Sequence, residues 1–264
     1  MAAAKRRVAR RRWRPLERDL RENSGTLIAG VDEVGRGPLA GPVVACAVIM
    51  PPDTRAIRGV DDSKKLFPSE RVKLASLIRE RAVCWALGAA SVREIEHLNI
   101  YHATTLAMRR ALHRLRVAPD HVLIDGRPIR ALEVPHTAIV GGDGCCYSIA
   151  CASIIAKVTR DRAMAALARR YPEYRWERNV GYATPAHIAG LAEHGLTPHH
   201  RRTFFRVRQH ADQLLLPLET EMTAIEHASE MDEMEEMLAS EREVLSDALA
   251  AFDDAASGGE AFAG

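Results

Sequence analysis

Four carboxylates in this 264-residue sequence stand at the ends of short apolar runs. Asp32 and Glu33 follow residues 26–31, Asp125 follows residues 121–124, and Asp143 sits in Gly141-Gly142-Asp143-Gly144 after residues 138–140. Each run reads as a strand, and in open α/β sheets ligands collect outside the carboxyl ends of strands. Acids placed there converge although they are far apart in the chain. Together they repel one another, and a buried carboxylate is costly unless it is paired or binds a cation. Oxygen-only donors suit Mg²⁺ or Mn²⁺, and two such ions about 4 Å apart can hold the attacking water and the leaving oxygen of a phosphodiester displacement. A lone Asp-Glu pair is ordinarily a solvated strand end; the threefold recurrence argues for metal-assisted hydrolysis.

Directly after the first pair comes Gly35-Arg36-Gly37-Pro38-Leu39-Ala40-Gly41, a loosened version of a dinucleotide fingerprint. That fingerprint must open a helix whose amino terminus holds a pyrophosphate. Residues 43–50 read instead as a second strand, so no cofactor-binding residue is assigned. Glycines flanking Arg36 let the backbone approach a sugar or phosphate closely.

The elements that must position these residues follow from periodicity. Strands are expected over 26–31, 43–50 and 83–90, then 121–124 and 138–140. The link between the first two is too short for a parallel crossover, so they pair antiparallel. Helices are expected over 69–81, capped by Ser69, over 91–115, opened by the capping box Ser91-Val92-Arg93-Glu94, and over 148–170. The fold class is therefore α/β: a mixed sheet flanked by helices, with a small carboxyl-terminal helical part from about residue 172.

Charge is segregated along the chain. Residues 1–23 carry nine Lys/Arg against three acids, residues 24–218 carry 27 against 18, and residues 219–264 carry one against 14. A polyanionic partner suits the arm and the middle. Five cysteines without a C-x-x-C pair argue against a disulfide framework, and no apolar run is long enough to span a membrane. A cytoplasmic location is expected. The organisation reads as a basic arm, 1–23, anchored by Trp13 and Leu16, a catalytic domain, 24–218, and an acidic extension, 219–264. The extension would be helical or disordered, and its charge would let it fold back on a basic surface.

Gly30-Val31-Asp32-Glu33-Val34-Gly35-Arg36-Gly37-Pro38, Asp61-Asp62-Ser63-Lys64-Lys65-Leu66, Leu123-Ile124-Asp125-Gly126, residues 150–162, and Gly181-Tyr182-Ala183-Thr184-Pro185-Ala186-His187 with His200-Arg201-Arg202-Thr203-Phe204 occur in one order. In this the chain resembles the bacterial ribonuclease HII (type 2 ribonuclease H) family, over residues 27–207. The resemblance implies a ribonuclease H-like core and metal-dependent cleavage of RNA·DNA hybrid, or of DNA with embedded ribonucleotides. The cut would fall 5′ to the ribonucleotide and leave a 3′-hydroxyl and a 5′-phosphate. It makes Asp32, Glu33, Asp125 and Asp143 the catalytic, metal-binding acids. It makes Gly35, Arg36 and Gly37 readers of the 2′-hydroxyl, and Tyr182 a platform for the neighbouring sugar. Lys64 and Lys65 become phosphate contacts. From spacing alone, Ser153 and Lys157, four apart on one helix face, are further contacts to the strand backbone if that face borders the cleft.

One departure is visible. The family usually has a lysine before the Gly-Asp pair, whereas here Gly141 precedes it and Cys145-Cys146 follow, which read as packing residues rather than ligands. Asp161 reads as a support for the acids or a partner of its arginine neighbours, and His199-His200-Arg201-Arg202 as a dock for the carboxyl-terminal helix or a phosphate contact. No obligate protein partner is implied, and a monomer is expected. The rival readings are a junction-type DNA nuclease of the same fold, indifferent to a 2′-hydroxyl, and a nucleic-acid-binding module without catalysis.

Overall fold

The computed structural model describes Trp13, residues 16–52 and residues 54–209. The start of the basic arm and the whole acidic extension lie outside the described residues. The described chain divides into two compact units. Unit 1 takes residues up to Val34, Val44–Ala89 and Thr104–Val158; unit 2 takes Gly35–Val43, Ala90–Ala103 and residues from Thr159.

Unit 1 is built on a five-stranded sheet in the order β3-β2-β1-β4-β5, from β1 (Ile28–Val34), β2 (Val43–Ile49), β3 (Cys84–Ala90), β4 (His121–Asp125) and β5 (His136–Ile139). β2 is buried along its whole length, which explains why Val43-Val44-Ala45-Cys46-Ala47-Val48-Ile49 shows no polar alternation. β1 pairs antiparallel with β2, as its short link requires, and parallel with β4, which pairs parallel with β5.

One boundary differs from the sequence reading in a way that matters. β1 does not stop at Val31: Asp32 and Glu33 continue the ladder opposite Cys46 and Ala45. The parallel ladder with β4, by contrast, ends at Val31 and Ile124. The acids are thus held in register by β2 while standing beyond the last β1–β4 pair.

Of the helices, α1 (Leu16–Ser24) begins inside the basic arm at Leu16, one of its expected anchors. Glu17 is buried, and its Oε1 accepts the Ser148 N–H at 2.8 Å and the Ser148 hydroxyl at 3.0 Å. Leu16 and Leu20 pack against Ile28, Leu123 and Ile149, and the Trp13 ring lies 5.5 Å from that of Tyr147. α2 (Pro68–Arg81) is capped by Phe67, whose N–H meets Glu70 at 2.9 Å, so Ser69 sits inside the first turn. α3 (Val92–His113) has the expected capping box, with the Ser91 N–H on Glu94 at 2.9 Å. It breaks at Asn99, φ 65°, whose Oδ1 caps the next turn through Tyr101 and His102. α4 (Tyr147–Arg170) gives its first half to unit 1 and its second to unit 2.

Unit 2 adds α5 (Trp176–Asn179) and α6 (Pro185–His194). Its core joins Leu39, Met164, Leu167, Tyr174, Trp176, Leu191 and Val207. All five cysteines are free thiols, and among the described residues no helix is long and apolar enough to cross a membrane.

Candidate active site

In unit 1 the strand ends bring Asp32 within electrostatic range of Glu33 and Asp125, and Asp125 within range of Asp143. Asp32, at the end of β1, is 5 % exposed; burial pushes its pKa well up, and the charges of Glu33 and Asp125 add to this. Two donors work against that rise: the Ser153 hydroxyl and the Glu33 N–H, which meets Asp32 Oδ1 at 2.8 Å. Asp125, the last residue of β4, is half-buried and also raised, first by burial and then by Asp143. Its Oδ1 accepts the Gly142 N–H at 2.7 Å. A Cβ on Gly142 would lie 2.6 Å from Ile149 and 3.4 Å from that same Oδ1, so glycine is what lets the turn after β5 close on the carboxylate. That turn delivers Asp143, 6 % exposed. Glu33 is adjacent to Asp32 and partly exposed.

Around these acids lie the unit 1 residues expected to touch substrate. Lys64 reaches Asp143 Oδ2 with Nζ at 3.2 Å. Partial burial opposes its charge, yet Asp143, with Asp62 and Asp32, raises its pKa. Lys65 is exposed and stands 3.8 Å from Asp62 and 3.9 Å from Asp61. Ser153, expected on an open face, is enclosed: its oxygen lies 2.9 Å from that of Ser63 while its hydroxyl serves Asp32. An ionised carboxylate only accepts, so Ser63 donates to Ser153 and Ser153 to Asp32. Lys157, one turn on, is partly exposed.

Unit 2 holds the glycine-rich link and Tyr182. Arg36 and Gly37 are exposed, whereas Gly35 and Pro38 to Ala40 are buried. A Cβ on Gly37 would stand 3.6 Å from the Tyr182 ring, so the two are neighbours, and Tyr182 is 45 % exposed. Gly35 has φ +97°, and a Cβ there would collide with Arg160.

Sequence reasoning missed the groups that hold this region. Arg160 donates to the carbonyls of Pro42, Val180 and Ala40 at 2.9–3.0 Å. Arg201, read as a dock or phosphate contact, is fully buried and donates to Gly35, Arg36 and Gly41. Burial lowers their pKa values to about 10 and about 9 respectively, which leaves both charged at neutral pH. His187 and His200, also buried, form a chain whose tautomers follow from its fixed donors. The Trp176 indole N–H donates to His187 Nε2 at 3.1 Å, so His187 Nδ1 carries the proton it gives to the Tyr182 carbonyl at 2.9 Å. The Thr197 N–H donates to His200 Nδ1, so His200 Nε2 donates to His187 Nε2 at 3.0 Å. These bonds span up to 166 residues, and no local pattern signals them.

The donor set fits a divalent cation in kind: carboxylate oxygens, destabilised by one another and only partly offset by Lys64. Among the described residues no three His, Cys, Asp or Glu side chains already stand close enough to hold an ion. Cys146 is packed in the apolar cluster beside Ile149 and Cys145 lies against it, in line with the packing role.

Comparison with known proteins gives concordant results. The profile of the Ribonuclease HII family matches residues 29–209. A ribonuclease HII of Granulibacter bethesdensis is 58 % identical over 194 residues, which is 72 % of this chain and 89 % of that protein. One from Thermosynechococcus vestitus is 57 % identical over 181 residues, 68 % of this chain and 84 % of its own. Among solved structures, ribonuclease H2 of Pyrococcus horikoshii aligns with a TM-score of 0.63 at 28 % identity, covering 71 % of this chain and 98 % of that one. The mixed sheet with flanking helices is thus the ribonuclease H-like fold that the sequence led us to expect.

Proposed function

This chain belongs to the ribonuclease HII family and is a ribonuclease H, a hydrolase that acts on nucleic acid; we propose that it cuts RNA·DNA hybrids and DNA-embedded ribonucleotides 5′ to the ribonucleotide, with Mg²⁺ or Mn²⁺, as part of ribonucleotide removal from DNA. The products carry a 3′-hydroxyl and a 5′-phosphate. The observation that carries this reading is the gathering of Asp32, Asp125 and Asp143 against their own repulsion, with burial and neighbouring acids raising the pKa of the first two.

Asp32, Glu33, Asp125 and Asp143 would hold the cations. When bound, the ions supply an activated water and neutralise charge on the leaving oxygen. The protein prepares the acids for this. Ser153 and the Glu33 N–H orient Asp32, and the Gly142 N–H fixes one oxygen of Asp125. Lys64, which shields Asp143, contacts a substrate phosphate, with Lys65 and Lys157 as further backbone contacts and Ser153 as support. Gly35, Arg36 and Gly37 read the 2′-hydroxyl, the group by which a protein tells RNA from DNA at one nucleotide. Tyr182, exposed beside Gly37, stacks on the neighbouring sugar. The enzyme works as a monomer in the cytoplasm.

Metal depletion tests the scheme. Protein treated with chelator should leave an RNA·DNA hybrid intact, and added Mg²⁺ or Mn²⁺ should restore cutting. Undiminished cleavage in chelator would overturn it.

A further inference from the structure

The link between β1 and β2 owes its shape to two arginines distant in sequence. Five carbonyls of this short segment, those of Gly35, Arg36, Ala40, Gly41 and Pro42, accept hydrogen bonds from the guanidinium groups of Arg160 and Arg201. Arg201 Nη2 lies 2.6 Å from the Gly35 oxygen and 2.7 Å from that of Gly41, Nη1 lies 3.0 Å from that of Arg36, and Nε lies 3.0 Å from Gly41. One planar fork thereby ties the start of the segment to its end. The Arg201 main-chain N–H adds a bond to the Leu39 carbonyl at 2.8 Å.

A planar trans peptide points its carbonyl and its N–H in opposite directions. The Gly35 carbonyl is drawn inward, so the Arg36 N–H is aimed to the other side; the inward Arg36 carbonyl does the same for the Gly37 N–H. Arg36 and Gly37 are the exposed residues here, between buried Gly35 and buried Pro38. Two successive amide donors therefore face outward because two carbonyls are anchored inward. Lysine cannot reproduce this, since its ammonium is a point charge without the fork geometry.

We propose that Arg201, seconded by Arg160, is the positioning residue for ribonucleotide discrimination: it aims the main-chain amides of Arg36 and Gly37 at the 2′-hydroxyl. This rests on the reading of Gly35-Arg36-Gly37 given above and adds the groups that set its geometry. Neither arginine touches substrate. Both act through the segment they hold.

The test compares two duplexes of one sequence, all-DNA and with a single ribonucleotide, bound by full-length protein in an Asp125→Asn background at a temperature where every variant is folded. The parent should prefer the ribonucleotide duplex. Arg201→Lys should lower that preference by about tenfold or more, since aimed donors are lost, while all-DNA affinity, carried by phosphate contacts elsewhere, stays within about twofold. Leu191→Ala, which only loosens the core of unit 2, should lower the melting temperature and keep the preference. A preference retained in Arg201→Lys, or lost equally in Leu191→Ala, overturns the proposal. A parent without preference overturns the underlying reading of the glycine-rich segment instead. Should Arg201→Lys fail to fold, Arg160→Lys takes its place. In the unmutated protein the Nε–H protons of Arg160 and Arg201 should exchange slowly with solvent; fast exchange contradicts the anchoring.

Discussion

In unit 1, Asp32 and Asp143 are buried and Asp125 half-buried, and their oxygens meet one another's charge, a few N–H and O–H donors and one exposed lysine. In unit 2, Arg160 and Arg201 are buried more completely, and seven hydrogen bonds spend their donors on main-chain carbonyls. Both arrangements remove charge from water, which is costly. The arginines are offset inside the protein, whereas the carboxylates are offset only in part, by Lys64 and a few N–H and O–H donors. A buried charge with its hydrogen bonds made is a structural group; buried charges that repel one another mark chemistry.

The comparison breaks most sharply on one carboxylate. Asp125→Asn should lower cleavage by on the order of a thousandfold or more, the scale of losing a transition-state stabiliser, while hybrid affinity is largely kept. Because the change removes repulsion, metal-free thermal stability should hold or rise. Cleavage within tenfold of wild type in Mg²⁺ would place the chemistry elsewhere. The opposite outcome is expected in unit 2. Arg201→Met leaves several buried carbonyls without donors and should cost about 3 kcal/mol or more in urea denaturation; an unchanged midpoint would mean that water replaces the guanidinium.

Acidity separates the units by sign. Asp32 and Asp125 have raised pKa values, so the folded, metal-free chain holds more protons than the unfolded one. Their contribution is best below the ordinary carboxylate pKa and declines as pH rises through the folded values. His200, depressed to about 3 by burial and then by His187 and His199, holds fewer protons folded than unfolded, and burial lowers His187 too. Their contribution is full above the ordinary histidine pKa and is lost as pH falls, on the order of 3 kcal/mol for His200 between pH 6.5 and 4. Melting curves from pH 4 to 8 should show Mg²⁺ stabilising more at pH 8 than at pH 5, and His200→Gln should flatten the acid limb. A Mg²⁺ shift independent of pH would remove the carboxylates from the account.

The smallest effect is assigned to Lys64, whose side chain is mostly exposed. Lys64→Ala should raise KM a few-fold and change folding stability by less than about 1 kcal/mol. A large loss of kcat would give the lysine a place in the chemistry itself.

Much of unit 1 is legible in the sequence because its signals are local. Apolar runs end at Asp125 and near Asp143, and unit 2 has one equally local signal, the capping box of Ser91 and Glu94. The misplaced end of β1 has a physical cause: two adjacent acids look like a strand end, but β2 pairs beyond them. Unit 2 is harder to read. Its arginine anchors and histidine chain join residues widely separated in sequence, and a buried Arg201 looks in sequence like any basic surface residue. Asn99 breaks α3 without a proline or glycine to announce it.

The most direct test of the central claim is to incubate full-length protein and Mg²⁺ with end-labelled duplex DNA bearing one ribonucleotide, beside an all-DNA four-way junction, and to map the products. A single cut on the 5′ side of the ribonucleotide, leaving 3′-hydroxyl and 5′-phosphate ends with the junction intact, is the predicted result. Cutting of the junction, or binding of both substrates with neither cut, would contradict it.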